Sequence, residues 1–542
     1  VPLVLAFHGG GYDVVLRQQS ALIWLWLMAL AVAFGFLPSA RLSRSARLIA
    51  FALAALALWT ALSPIWSESV ERTSIEIART VAYAGVLGAI VLGLNSSTWR
   101  AAAYGLCAAL LTMPVLSLVS RIGPGIFSVS AYPSSFAGNR LLFPLDYWNA
   151  VACWSAMAIA AGLAISAHTR DWRRPLSLAL VPVAITTLYL TYSRGGVASA
   201  IAGTLVVLAV SRNRVTAAAH ALVAIAGGAI CILAVVSQPA IADGTSGRGG
   251  LVVAIAIAIA AALCGAATER SGVRGLDRRS VELPAPRTML ISGLVVVAVA
   301  IGVAGPSLTA RESRAFSDRS SVSNQPDPAR LVTLDGPRAE IWSSAFRAFE
   351  SEPLTGIGPG TFAYWWQRDV TDGDQLQDAH SLYIETLAEL GIPGLLILLG
   401  LIAALLAGAL KARAAASRAR DAGAATAMIG VGAVFLVQAG VDWMWEIPAL
   451  TLPGLGALAI ATSSLSHRRR TGRSLSSGRL ALTALCIVAG ATQIPGLITT
   501  ESLRTSAELA PNGFTQRAGD LAVDAREASP WAASPHSQLA LI

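Results

Sequence analysis

The sequence predicts an all-α polytopic membrane protein, and two observations carry that expectation. Of 542 residues, 55% are hydrophobic and only 13% are charged, too apolar a balance for a soluble chain of this length. The apolar residues also fall in long continuous runs such as Leu251–Leu263, which favour helices over the short alternating segments of a membrane barrel. The runs predict about fourteen spans, near 20–38, 47–66, 79–95, 100–122, 147–168, 175–192, 196–211, 216–238, 249–268, 288–308, 386–410, 422–441, 447–465 and 478–499. Several are short for a bilayer, so the expected range is about 12–14 transmembrane helices.

Orientation follows from the basic residues. Seven connections hold Arg41/Arg44/Arg47, Arg100, Arg170/Arg173/Arg174, Arg212/Arg214, Arg270/Arg274/Arg278/Arg279/Arg287, Lys411/Arg413/Arg418/Arg420 and Arg468/Arg469/Arg470/Arg473/Arg479, which is 23 of the 40 Lys and Arg. They alternate along the chain as cytoplasmic loops should. The opposite, outer face then receives both termini, the turn at Tyr192–Gly196 and a long loop at 309–385. The net charge of +9 is accounted for by this asymmetry and calls for no nucleic acid. Cys107, Cys153, Cys231, Cys264 and Cys486 all lie in apolar runs without metal-ligand spacing, and they read as small packing residues.

Four regions follow: N-terminal spans (1–308), a large external loop with amphipathic helices (309–385), C-terminal spans (386–500), and a helical tail (501–542). The tail, punctuated by Pro511, Pro530 and Pro535, reads either as the opening of a tetratricopeptide-like array or as a plain amphipathic segment. No initiator Met or signal peptide is visible, and Val1–Phe7 is too short to span. The expectation is an alternative start or a missing N-terminal span, with truncation at the other end as well.

In the external loop, 311–330 is polar. Arg338, Ile341, Trp342, Ala345, Phe346 and Phe349 then recur at helical spacing, predicting an amphipathic helix that lies on the membrane or the bundle. Gly356-Ile357-Gly358-Pro359-Gly360 breaks the chain. Asp378 is the expected N-cap of the following helix, with His380, Tyr383 and Leu387 on one face and Pro393 as its break.

Chemistry is sought among polar residues at the outer boundary. Tyr192-Ser193-Arg194-Gly195-Gly196 separates two apolar runs. The glycines would let backbone N–H groups approach a ligand, and Arg194 could fork onto a phosphate. The alternative is a tight turn whose arginine snorkels to headgroups. No metal or cofactor is expected: Asp372 and Asp374 are the nearest approach to a metal-ligand spacing, and Walker-type and Rossmann glycine loops are absent. Arg140, Arg194, Arg338 and His380 remain. Arginines beside a bilayer suit a lipid-linked diphosphate, and a histidine, with an ordinary pKa near 6.5, can take a proton from a hydroxyl at neutral pH.

Four segments stand in order: Tyr192–Gly196, Arg338-Ala339-Glu340-Ile341-Trp342, Gly356–Phe362 and Ala379-His380-Ser381 through Gly391. Together they resemble the O-antigen ligase and O-antigen polymerase superfamily of bacterial envelopes, over about residues 130–450. The resemblance implies a metal-independent, inverting membrane glycosyltransferase outside the cytoplasmic membrane. Its donor would be an undecaprenyl-diphosphate-linked glycan and its acceptor a glycan or lipid-linked sugar, with membrane lipids as further partners. Carried over, Arg194 and Arg338 match the family's arginines, and His380 matches the activator of the acceptor hydroxyl. Arg140 and Asn149 match an Arg-Leu…Tyr-x-Asn stretch; Tyr192, Ser193, Gly195, Trp342 and Tyr383 would support the site. The alternatives are a polysaccharide polymerase of the same superfamily and a bicarbonate or solute transporter. Transport would call for ionisable residues buried mid-span or an inverted repeat, whereas the ionisable residues read as clustered at span ends.

Overall fold

The computed structural model describes residues 2–127, 139–273, 338–369, 376–468 and 476–542. The expected span at 288–308, the polar 311–330 segment, Asp372 and Asp374 lie outside the described residues. The described chain is helical apart from one two-residue strand pair, Ala40–Arg41 with His467–Arg468, antiparallel. Ten described helices are long and apolar enough to cross a membrane, and Arg194–Val210 and Pro448–Ser463 are shorter apolar helices. The run at 175–192 is also a helix, Arg173–Leu190, opened by two arginines. The architecture is therefore a polytopic all-α membrane protein, in two compact units.

The first unit comprises 1–10, 97–340 and 405–465. Its centre is the helix Trp148–His168, of which every residue after Trp148 is buried. That helix packs against Trp99–Ile122, Arg173–Leu190, Arg194–Val210 and Ala419–Ala439. Its Ala, Gly and Ser content is what lets so many neighbours approach, because without a hydrophobic drive between helices small residues supply the contact. The same device joins Arg194–Val210 to Ala419–Ala439: a Cβ added at Gly203 would come 2.3 Å from Val434, and one at Gly430 would come 2.6 Å from Val207. Pro114 sits inside Trp99–Ile122. It cannot donate to the carbonyl of Leu110, and that carbonyl instead accepts the indole N–H of Trp154 at 3.1 Å.

The second unit comprises 11–96, 341–404 and 466–542. Its apolar helices are Val14–Ala33, Arg44–Leu62, Val70–Gly93 and Ser477–Ala491, and the helix Leu382–Ala415 begins in it. Ile494–Leu509 and Thr515–Ala528 form a helical hairpin in the tail, closed by Ser506 donating to Ala518 O at 2.7 Å and by a 2.7 Å hydrogen bond from Thr499 to Ser529. The tail is tied down where the N–H groups of Ala533 and Ser534 donate to Glu71, at 2.9 and 3.1 Å. All five cysteines are buried free thiols.

The structure departs from three local expectations. In the helix Arg338–Ser351 the buried stripe is Ile341, Ser344, Ala345 and Ala348. Phe346 is exposed, because the i, i+3, i+4, i+7 set of smaller residues is the one that meets Ile357, Phe362 and Ala388. The helix Leu382–Ala415 breaks at Gly391, φ 66° and ψ −169°, two residues before Pro393; a Cβ at Gly391 would fall 2.6 Å from Leu354 O. Charged residues are not confined to span ends either. Glu76 and Arg79 lie within Val70–Gly93, joined as an ion pair that lowers the cost of burying both.

Candidate functional site

Two polar constellations stand out, one in each unit. In the first, the connection after Ala419–Ala439 places Asp442 with its side chain 1% exposed. A carboxylate so buried needs donors, and it has several. The Tyr147 hydroxyl donates to both oxygens at 2.9 and 3.1 Å, the Asn149 amide donates at 2.6 Å, and the N–H of Trp443 donates at 3.0 Å. Burial and the Asp442 charge hold the Tyr147 phenol well above its ordinary pKa, so it stays protonated and remains a donor. The Tyr147 ring stacks on Trp443 at 4.4 Å.

On this carboxylate rests Arg338, first residue of its helix, with Nη2 3.5 Å from Asp442 Oδ2 and its side chain 39% exposed. One edge of the guanidinium is thus set by a buried acid while the side chain reaches solvent. Beside Asn149, Trp148 carries the Arg140 guanidinium over its ring at 4.6 Å, a cation–π contact that orients a second positive group. Of the expected residues, the structure brings together Arg338 and Asn149 through Asp442, and places Arg140 against the neighbour of Asn149.

Arg194 belongs to the same unit and opens the helix Arg194–Val210, whose N-cap is Ser193, accepting from Gly196 N at 3.1 Å. The two glycines have a packing use besides the expected approach to a ligand. A Cβ at Gly196 would lie 2.5 Å from Ala152, and one at Gly195 would lie 3.0 Å from the buried Gln438 amide. They are packing residues between helices.

The second constellation surrounds His380. The helix starts at Leu382, and its first turn is capped by Ser381, which accepts from Ile384 N at 3.5 Å; Asp378 is not the cap. His380 therefore precedes the helix that carries Tyr383, held in a turn at φ 53°. The turn is braced from the helix itself: Glu385 accepts the N–H of Ala379 at 2.8 Å. One turn further on, Glu389 accepts the N–H groups of Gly360 and Phe362 at 2.9 and 3.0 Å. It stitches the glycine-rich loop to the helix, and Thr73 ties the same loop down by donating to Pro359 O at 3.0 Å. The loop's glycines at 356, 358 and 360 all have positive φ, so this motif is structural. Asp378 and Glu385 bring carboxylate oxygens within 4.8 Å of one another. Burial, opposed by Arg79, pushes the Asp378 carboxyl up to about 6. Trp342 packs at the edge of this unit's core cluster.

Among the described residues, the non-glycine residues with positive φ are Asp146 at 54°, Tyr192 at 51° and His380 at 53°. Such backbone costs about 1–3 kcal/mol per residue and persists where surrounding structure over-determines it, as at functional sites. Each immediately precedes or forms part of a segment singled out from sequence: Tyr147–Asn149, Ser193-Arg194 and His380 itself.

Sequence reasoning missed Asp442, the residue that organises the first constellation. The available signal was an acid at a span end inside Asp442-Trp443-Met444-Trp445-Glu446, an aromatic boundary stretch.

Residues 234–399 match the family model for O-antigen ligase. That stretch includes Arg338, the glycine-rich loop and His380, and the match supports placement in the O-antigen ligase-like superfamily. The class defined is accordingly a multi-pass helical membrane protein, within which residues 234–399 are similar to O-antigen ligase. No curated protein matches the chain.

Proposed function

We propose that the protein is a metal-independent, inverting glycan ligase. It would take an undecaprenyl-diphosphate-linked glycan as donor and work at the outer face of the cytoplasmic membrane. The observation that carries the reading is Arg338, partly exposed and anchored on a buried, multiply hydrogen-bonded Asp442. An arginine fixed on one side by a carboxylate keeps further N–H donors for a second oxyanion, and a diphosphate accepts such a fork bidentately. Arg140, held over Trp148 beside Asn149, adds a second positive charge to that of Arg338 and favours an anion, and Arg194 would join them.

In the reaction, an acceptor hydroxyl oxygen attacks the anomeric carbon from the face opposite the diphosphate. The C–O bond to the diphosphate breaks, and the lipid diphosphate leaves as an anion on the arginines. His380 takes the hydroxyl proton. Tyr147 and Asn149 act through Asp442 as positioning residues. The same roles serve a polymerase, whose acceptor is itself lipid-linked.

The test is transfer by purified protein in nanodiscs with a labelled lipid-linked glycan and candidate acceptors. Arg338→Lys keeps the charge and loses the fork, and transfer should fall about 10²–10³-fold. Unchanged transfer by Arg338→Lys would remove the clamp. Solute uptake into proteoliposomes, with no transfer to any acceptor, would favour the transporter.

A further inference from the structure

Arg413 lies in the last turn of the helix Leu382–Ala415. It belongs to the first unit and is 1% exposed. Its Nε donates to Thr426 at 3.0 Å, while Nη1 and Nη2 are both buried without a hydrogen-bond partner. Five donors on a permanently charged group make this a costly arrangement unless an acceptor is present. Its charged neighbours, Arg212 and Arg214, have its own sign. Arg212 reaches across to donate to Ser417 O at 3.3 Å, which places it beside the chain that follows Arg413. Arg214 donates to Ala209 O at 2.6 Å and buries an unpartnered Nε. Asp171, in the connection before Arg173–Leu190, pairs with Arg173 and Arg420, and Asp421, in the first turn of Ala419–Ala439, pairs with Arg100.

The cluster is separate from the first constellation. Thr426 is in the first half of Ala419–Ala439 and Asp442 lies beyond its end. Arg194 and Arg212 likewise flank opposite ends of Arg194–Val210. A helix of 21 residues is about 30 Å long, the thickness of a bilayer core. The cluster therefore sits at the other membrane boundary, where an oxyanion is supplied by lipid headgroups, and basic clefts between spans bind such headgroups.

We propose that Arg413, with Arg212 and Arg214, forms an oxyanion site for the phosphate of an anionic phospholipid headgroup. The guanidinium of Arg413 provides the buried donors, and the two half-buried arginines close over the phosphate from the chain connection. A free phosphate ion offers the same chemistry, and the experiment separates the two.

Thermal unfolding is measured in phosphatidylcholine nanodiscs, in nanodiscs also containing phosphatidylglycerol, and in phosphatidylcholine nanodiscs with inorganic phosphate. Phosphatidylglycerol should raise the wild-type Tm by about 2–4 °C. Arg413→Gln should abolish that rise, and so should the double variant Arg212→Gln/Arg214→Gln, whose half-exposed positions spare the fold if Arg413→Gln does not. Arg41→Gln, at an exposed arginine of the other unit, should keep the rise and so controls for general attraction. In plain phosphatidylcholine, whose phosphate is neutralised by its own trimethylammonium group, Arg413→Gln should be at least as stable as wild type, since it removes a buried charge that has no net anion to meet. A rise with inorganic phosphate alone would overturn the lipid as source. No rise in wild type, or equal rises in wild type and both variants, would overturn the site.

Discussion

The Asp442 centre and the His380 turn solve the same problem, holding a polar side chain in a fixed place beside the end of an apolar helix, by different means. At Asp442 the geometry is made by side chains from distant parts of the chain: Tyr147 and Asn149 reach it across 295 and 293 positions. At His380 it is made by backbone: a left-handed residue, braced by Glu385 on Ala379 N and by Glu389 on the glycine-rich loop. The first arrangement fixes a charge while leaving it donors to spare. The second fixes the direction of the imidazole. In the proposed reaction a diphosphate would need the former and proton abstraction the latter.

The comparison can be broken at each end. Asp442→Ala should be the most damaging change, because it strands Arg338, Tyr147 and Asn149 together. The donors of Tyr147, Asn149 and Trp443 N–H would lose their buried acceptor, at about 1–3 kcal/mol each, read as a fall in unfolding midpoint in detergent. A midpoint equal to wild type would mean that the side-chain network is incidental. Glu389→Ala should cost somewhat less, about 2–4 kcal/mol for two backbone N–H groups left without an acceptor. Proteolysis should then become faster within 356–362 and leave the Asp442 side unaffected. Slower or unchanged cleavage there would contradict the backbone account.

The smallest effect sharpens the second region alone. The Asp378 carboxyl is raised to about 6, above its value in an unfolded chain. Its contribution to stability is therefore complete below the unfolded pKa and disappears as pH rises through about 6. Asp378→Asn, which cannot ionise, should gain on wild type in Tm between about pH 4 and pH 7. A constant difference across that window would contradict the burial of Asp378.

Legibility in the sequence tracked the range of the interaction. Apolar runs are local, so thirteen of the fourteen expected spans fall on described helices, with ends shifted by several residues. Arg338 at the opening of an amphipathic helix was equally readable from spacing. Asp442 was not, because its importance lies in partners almost 300 residues away. Proline and glycine were legible only in part for a related reason. Pro393 is the obvious breaker by composition, but Gly391 breaks the helix because the backbone at Leu354 approaches it, a tertiary fact. Gly195 and Gly196 suggested a ligand, and are also needed where Gln438 and Ala152 pack against them. Asp378 had the chemistry of a cap, yet Ser381 stands at the capping position because the helix starts one turn later than its sequence suggests.

The central claim is that Arg338, held by Asp442, binds the diphosphate of the lipid donor. It is tested most directly by the equilibrium binding of labelled undecaprenyl diphosphate to wild type, Arg338→Lys and His380→Ala in nanodiscs. The account predicts that Arg338→Lys weakens binding at least about 10-fold, the loss of roughly one charge-assisted hydrogen bond, while His380→Ala binds as wild type does. Equal affinity in wild type and Arg338→Lys would contradict it.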